Sequence, residues 1–397
     1  MKLLLIVDDY LPHSIKVAAN MMHELAIQLQ SMGHETWVLT PVPLQNEKLT
    51  IMKLDDVNIL YFRSGEIKNT GKIKRAINET MLSWQAWKSG KDFFKKNSFD
   101  GIIYYSPSIF WGGLVGKLCS LWQCKSYLIL RDIFPQWTVD NGLMSKKSPI
   151  YWYFRFFESI NYRNATKIGV MSPSNLDFFR KQGKKTHKFE VLFNWAAVSQ
   201  IQAKAKQHRK KLQLESKIVL FYGGNIGHAQ KMIYLVNLAK QFKENPKVHF
   251  LFVGKGDEVD LVLTEKEKHN LHNLTYLPSV DQNTYFEMLN EFDIGLFSLH
   301  PDHKTHNFPG KILGYMAYEK PILGCVNKGN DLKEIVNNAK AGFVVTSGNE
   351  EELFKAATIL LESEETRRTM GQNGRNLLIK QFSVQSACKQ IISKLVA

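Results

Sequence analysis

Apolar positions along the chain follow two alternating rhythms. Short runs rich in Val, Ile, Leu and Tyr recur, and between them lie stretches with an apolar residue every three or four positions. Lys2–Val7 is the first run, a candidate buried parallel strand. The loop Asp8–Ser14 follows, and then Val17, Met21, Met22, Leu25 and Leu29 fall at helical spacing. Gly33-His34 stops that helix and Thr36–Leu39 begins a second strand. Strand, helix, strand is a βαβ unit, and a chain opening on one predicts a doubly wound parallel sheet. Further strands are expected at Val57–Phe62, Gly101–Tyr105, Ser126–Leu130, Lys167–Val170 and, last in this series, Val191–Asn194.

The polar, basic stretch Gln200–Lys211 interrupts the pattern and reads as a linker. A second strand series then runs through Ile218–Tyr222, His249–Val253, Leu274–Leu277, Ile294–Phe297, Pro321–Gly324 and Phe343–Val345, with helical patterns such as Tyr234–Phe242 and Tyr285–Glu291 between them. The expected architecture is α/β: two Rossmann-like domains, 1–200 and 201–383, facing a central cleft. A helical tail, 384–397, is placed to pack back on the first domain. Sheets of this kind take ligands at the carboxyl ends of their strands.

Composition narrows this picture. At 397 residues, with 44% hydrophobic and 22% charged residues, the chain suits two globular domains. Its apolar opening stops at Asp8-Asp9, too soon for a signal peptide, and no run approaches the roughly 20 apolar residues of a membrane span. The four scattered cysteines suggest neither a disulfide framework nor a zinc site, so a cytoplasmic location is expected. The formal net charge is +15, and residues 1–200 hold 26 Lys+Arg against 16 Asp+Glu. Such an excess suits nucleic acid, anionic lipid or a phosphorylated substrate. No nucleic-acid-binding module is recognisable. Ile73–Lys96, apolar on one side and lysine-rich on the other, and the run YWYFRFF at Tyr151–Phe157 each read either as a core helix or as an interfacial one.

The candidate chemistry lies at strand ends. Lys304–Gly324 contains a turn, Pro309-Gly310, and a helix expected from Lys311 to about Tyr318. A helix start presents unpaired N–H groups and the positive end of a dipole, a place for phosphate, and Lys311 would add a full charge there. The loop Gly223-Gly224-Asn225-Ile226-Gly227 leads to Lys231, expected in the first turn of the next helix, and Gly254 opens another strand-end loop. The glycine spacing is not that of a dinucleotide fingerprint, and no Asp-x-Asp occurs. Two lysines and glycine backbones could therefore hold a diphosphate without metal or other cofactor. In the first domain, Arg131-Asp132 is read either as substrate contacts or as a mutual ion pair, and His13 follows Asp8-Asp9 in the first strand-end loop.

These stretches resemble family 4 glycosyltransferases of the GT-B fold over nearly the whole chain. The marks are Met21-Met22-His23-Glu24-Leu25-Ala26 with Gly33-His34-Glu35, Arg131-Asp132-Ile133-Phe134-Pro135, Met171-Ser172-Pro173-Ser174-Asn175, Phe193-Asn194-Trp195, Gly223–Gly227, and Pro309-Gly310-Lys311 with Tyr315-Met316-Ala317 and Lys320-Pro321. The resemblance implies transfer of a hexose-type sugar from a nucleotide diphosphate, UDP-linked, with retention and without metal. The second domain would take the donor and the first a polyprenyl-diphosphate-linked acceptor at the inner membrane face. Within the family, the enzymes of bacterial O-antigen and capsule assembly are the nearest in pattern, with N-acetyl-L-fucosamine as the implied sugar. Lys231 falls at the family's donor-phosphate lysine. Asn225 stands where many members have arginine, and the two glutamates of the family's Glu-x7-Glu motif are replaced by His306 and Gly314. His306 would then touch the donor sugar, while the ribose contact at Gly314 is lost. Tyr105 stands where some members carry a histidine. The alternative activity for this architecture is a nucleotide-sugar epimerase or hydrolase.

Overall fold

The computed structural model describes residues 1–14, 17–43, 45–67, 70–140, 142–183, 186–196, 198, 207–302 and 308–396. They divide into one unit of Met1–Asn194 with Val384–Ala397, and a second of Trp195–Ser383.

The first unit is built on an eight-stranded sheet of order β3-β4-β2-β1-β5-β6-β7-β8. Its strands are β1 (Lys2–Ile6), β2 (Glu35–Pro43), β3 (Leu49–Leu54), β4 (Val57–Ser64), β5 (Gly101–Ser106), β6 (Lys125–Leu130), β7 (Lys167–Val170) and β8 (Phe189–Val191). All neighbours run parallel except β3 and β4. The central strands β1 and β5 are buried almost throughout, as continuous apolar runs in a sheet covered on both faces must be. β3 escapes the apolar pattern because Ile51 and Met52 face solvent. A tight turn, Asp55-Asp56, with φ of 46° and 64°, folds it onto β4, as a two-residue hairpin requires.

Two expected elements differ in this unit. The segment Ile73–Lys96 is two helices, Lys72–Thr80 and Leu82–Lys96, meeting at Met81. The last strand ends at Val191, where it pairs with Val170, so Leu192–Asn194 lies beyond it. The helix Val384–Val396 belongs to this unit. Gln390 Nε2 donates to the Val191 carbonyl and to Glu190 Oε1, each at 2.8 Å, and Cys388 is buried beside the Leu25 carbonyl.

The second unit holds a six-stranded, all-parallel sheet of order β11-β10-β9-β12-β13-β14. Its strands are β9 (Ile218–Asn225), β10 (Val248–Lys255), β11 (Leu274–Leu277), β12 (Ile294–Ser298), β13 (Ile322–Val326) and β14 (Gly342–Thr346). The chain leaves β9 toward β10 and β11, then crosses back to β12 on the other flank. That reversal between β9 and β12 is the switch point at which such sheets leave room for a ligand.

The expected linker is partly folded into this unit. Residues 201–206 lie outside the described residues, but Gln207–Lys211 is a short helix with Arg209 only 5% exposed. The guanidinium donates to Asp293 Oδ2 at 2.6 Å and to the carbonyls of Glu291 and Lys217, each at 2.8 Å. A buried cation can stay charged only with such partners. Arg209→Ala removes the cation facing Asp293 and the donors to the Glu291 and Lys217 carbonyls, and is expected to lower the unfolding free energy of this unit by about 3 kcal/mol in urea titrations. The exposed neighbour change Lys210→Ala should stay within about 0.5 kcal/mol.

Candidate active site

β9 is buried from Val219 to Gly223, and its last residues carry the pairing with β10 outward, so that Gly224 stands opposite Gly254. The backbones touch there: a Cβ on Gly254 would overlap the Gly224 carbonyl oxygen, and Gly224 itself has φ 123°, a conformation side chains rarely adopt. Tyr276 fixes the pair from below, its hydroxyl donating to the Gly254 carbonyl at 3.1 Å. Past β9, Asn225 Nδ2 donates to Gln230 Oε1 at 2.6 Å across a 3-10 turn, His228–Gln230. Gly227 packs against the Asp257 carboxylate, which accepts from the His228 N–H at 3.1 Å.

Lys231 does not sit in the first turn of a helix. It precedes the helix Ile233–Gln241, with a left-handed φ of 50°. At the start of that helix the Met232 N–H is already taken, donating to Glu258 Oε2 at 2.7 Å. A carboxylate at this position satisfies an orphan donor and the dipole together. The signal for it was Asp257-Glu258 just after Gly254, two acids at the end of an apolar strand.

The turn Pro309-Gly310 leads into a seven-residue helix, Lys311–Ala317, anchored by buried Ile312, Tyr315 and Met316. The Tyr315 hydroxyl donates to the Leu296 carbonyl of β12 at 2.8 Å. The Lys311 side chain runs to the end of β9. Its ammonium nitrogen is shut off from solvent, has no hydrogen-bond partner among the described residues, and lies 3.5 Å from the centre of the Tyr222 ring. A Cβ on Gly224 would be 3.6 Å from it. Burial pushes the Lys311 pKa well below that of an ordinary lysine, which works against the full charge expected from the sequence. Gly314 lies mid-helix beside Leu289 and offers no side chain to a ligand. His306 lies outside the described residues.

Around this corner the structure adds residues that spacing did not reveal. The rings of His228 and His300 are 4.6 Å apart, and the His300 N–H donates to the Ala229 carbonyl at 2.9 Å, tying the segment after β12 to the 3-10 turn. Gly224, Asn225, Gly254 and Lys311 are thus brought together at one strand end, with Gly227 in the adjoining loop.

In the first unit, Asp8, Tyr105, Arg131 and Asp132 follow or end the adjacent strands β1, β5 and β6. Arg131 is buried and donates to the Phe193 carbonyl at 3.1 Å, while Asp132 is exposed. Burial lowers the Arg131 pKa to about 10. Burial also pushes Tyr105 up to about 12; the nearby Arg131 opposes that rise, and Asp8 and Asp132 add to it. The β1 loop is held from several sides. The Tyr61 hydroxyl donates to the Leu11 carbonyl at 2.9 Å, and Ser14 Oγ to Asp9 at 2.8 Å. Tyr10 and His23 Nδ1 share a hydrogen bond of 2.8 Å, and His23 Nε2 meets Asp55 at 2.9 Å. His13 is exposed, its ring edge-on to Tyr61 at 5.5 Å.

The contact between Gly224 and Gly254 yields a contrast that unfolding experiments can read. Gly254→Ala forces the ends of β9 and β10 apart and should cost about 1–3 kcal/mol in urea unfolding. Gly310→Ala, with no atom of the described residues within 4 Å of its added Cβ, should change stability by less than about 0.5 kcal/mol.

Residues 203–377 match the family model described as glycosyl transferases group 1. The chain is 25% identical over 225 residues to the probable glycosyltransferase WbjE of Pseudomonas aeruginosa, an alignment covering 55% of each protein, so it spans about half the length of that relative. Among solved structures, Anabaena Alr3699/HepE in complex with UDP and glucose superposes with a TM-score of 0.67 at 14% identity, over 100% of this chain and 99% of that one. WaaG, a glycosyltransferase involved in lipopolysaccharide biosynthesis, superposes with a TM-score of 0.61 at 12% identity, over 100% of both chains. The chain has the two-domain GT-B fold, and its second unit matches the glycosyl transferases group 1 family over residues 203–377.

Proposed function

We propose that this protein is a retaining glycosyltransferase that takes a sugar from a UDP-linked donor and places it on a saccharide carried by a lipid diphosphate. The observation that carries the reading is the Lys311 ammonium, buried at the end of β9 without a hydrogen-bond partner among the described residues, within the segment that matches the glycosyltransferase family. An amine held in that state gains most from an arriving anion. The family match supports a sugar-transfer reaction, and the UDP and glucose held by HepE support the donor class. The part WaaG plays in lipopolysaccharide biosynthesis supports assembly of a cell-surface polysaccharide, and the basic first 200 residues suit a diphosphate-bearing acceptor. N-acetyl-L-fucosamine is the donor sugar implied by the resemblance to enzymes of O-antigen assembly.

In this mechanism the sugar–phosphate bond breaks as negative charge grows on the leaving diphosphate. Lys311 meets that charge from the end of β9, and Lys231 from the loop that follows. With Asn225 in place of a cation and Gly314 without a side chain, Lys311 takes a larger share of the stabilisation. Groups fixed in advance around a developing charge are usually the largest catalytic contribution. No metal is needed to neutralise the diphosphate when two amines reach it. His13, Tyr105, Arg131 and Asp132 would border the acceptor's part of the reaction in the first unit, and His306 would lie beside the donor sugar.

Lys231→Ala and Lys311→Ala should each reduce initial transfer rates about a hundredfold or more, with circular dichroism unchanged. Near-normal rates in both variants would remove the proposed site, and donor consumption without acceptor would mark an epimerase or hydrolase instead.

The lowered Lys311 pKa adds a pH signature. A bound diphosphate favours the ammonium, so the bound pKa exceeds the free one. Below the free value the amine is already charged and affinity is full; as pH rises toward the bound value, affinity falls and each binding event takes up a proton. Calorimetry of UDP-glucose in buffers of different ionisation enthalpy should show that uptake in the native protein and none in Lys311→Met.

A further inference from the structure

The helix Pro149–Arg163 turns Tyr151, Glu158, Asn161 and Tyr162 into the first unit. Its opposite face leaves Trp152, Tyr153 and Phe156 in solvent, with Trp152 64% and Phe156 60% exposed. Side chains of this size are seldom left in water together on one helix face. Tyr153 carries the patch onto the neighbouring helices, its hydroxyl 2.5 Å from Thr80 Oγ1. A turn to either side of Thr80, Ile77 and Trp84 are also more than half exposed. The face is rigid: Phe154 packs against Phe134 with centroids 4.8 Å apart, and Arg155 is paired with the buried Glu158.

Lysines surround this surface. Lys88 lies 4.7 Å from the Trp84 ring centre, and Lys91 follows one turn later. Lys146 and Lys147 are exposed immediately before the helix Pro149–Arg163, next to exposed Leu143 and Ile150. The acidic groups of these helices are largely committed, Glu158 to Arg155 and Glu79 to Arg75, leaving Asp92 as the exposed carboxylate among the lysines. Among the described residues no helix is long and apolar enough to cross a membrane.

We infer that the Trp152–Tyr153–Phe156 face, continued by Ile77 and Trp84, docks the first unit on the surface of an anionic lipid bilayer. Aromatic rings suit the headgroup level of a bilayer, and lysines beside them meet anionic headgroups. Exposed aromatic and aliphatic side chains with exposed lysines beside them match the two layers of an anionic bilayer surface, the apolar interface and the charged headgroups. This deepens the proposed lipid-linked acceptor, but its test makes no use of donor chemistry, so either reading can fail without the other.

The test is co-sedimentation of the full chain with vesicles of phosphatidylglycerol and phosphatidylethanolamine, against vesicles of phosphatidylcholine alone. The expected result is binding to the anionic vesicles that weakens with added salt, with little binding to the neutral ones. Trp152→Ser combined with Phe156→Ser should lower binding at least about tenfold, and Lys146→Gln with Lys147→Gln should lower it mainly at low salt, all with unchanged circular dichroism and thermal midpoint. Absent binding, equal binding to both vesicle types, or serine variants that bind as well as the native chain would overturn the proposal. So would sedimentation showing a dimer that only the serine variants dissolve, because the face would then belong to a second copy of this chain.

Discussion

An amine buried without a counter-charge is the constraint around which the second unit is arranged. Lys311 reaches under the end of β9 and rests its ammonium nitrogen on the face of Tyr222. The ring offers a weak attraction, far less than the hydration the amine has given up. The local chain accepts this cost through rigid packing. The short helix that carries Lys311 is pinned by Ile312, Tyr315 and Met316, and the backbones of Gly224 and Gly254 press together in front of it. An amine kept away from water in this way interacts more strongly with any nearby charge than it would in solvent.

The neighbouring loop follows the opposite logic. Glu258 accepts from the Met232 N–H before the helix Ile233–Gln241 and Asp257 from the His228 N–H of the 3-10 turn, so these two backbone donors are occupied by carboxylates of the same unit. In the first unit the strand-end residues are tied to their own fold. Arg131 reaches the Phe193 carbonyl, and the Tyr10–His23–Asp55 chain and Tyr61 steady the β1 loop. A loop fixed from several sides loses little entropy when it meets a substrate, which is the physical content of preorganisation.

Much of the architecture was legible in the sequence because parallel sheets covered on both faces need unbroken apolar runs, and the chain supplies them at β1, β5, β6, β9, β10 and β12. The exposed edge strand β3 gave no such run; its signal was the Asp55-Asp56 turn, readable only as a hairpin. The break at Met81 leaves no mark, since the apolar stripe continues across it. Arg209 looked like one more basic residue of a polar linker, because its partners Glu291 and Asp293 are more than eighty residues away in the chain. At the candidate site, the glycines and the Pro309-Gly310-Lys311 turn stood out. Two facts of three-dimensional packing did not: that Lys311 points inward onto Tyr222, and that Glu258 occupies the helix start that seemed available.

The most direct measurement is a crystal structure of the protein with UDP-glucose, read for the position of the Lys311 ammonium. The account predicts that the amine leaves the Tyr222 ring and that an oxygen of the diphosphate lies about 3 Å from it. A nucleotide bound with its diphosphate elsewhere, and Lys311 still resting on Tyr222 without a partner, would contradict it.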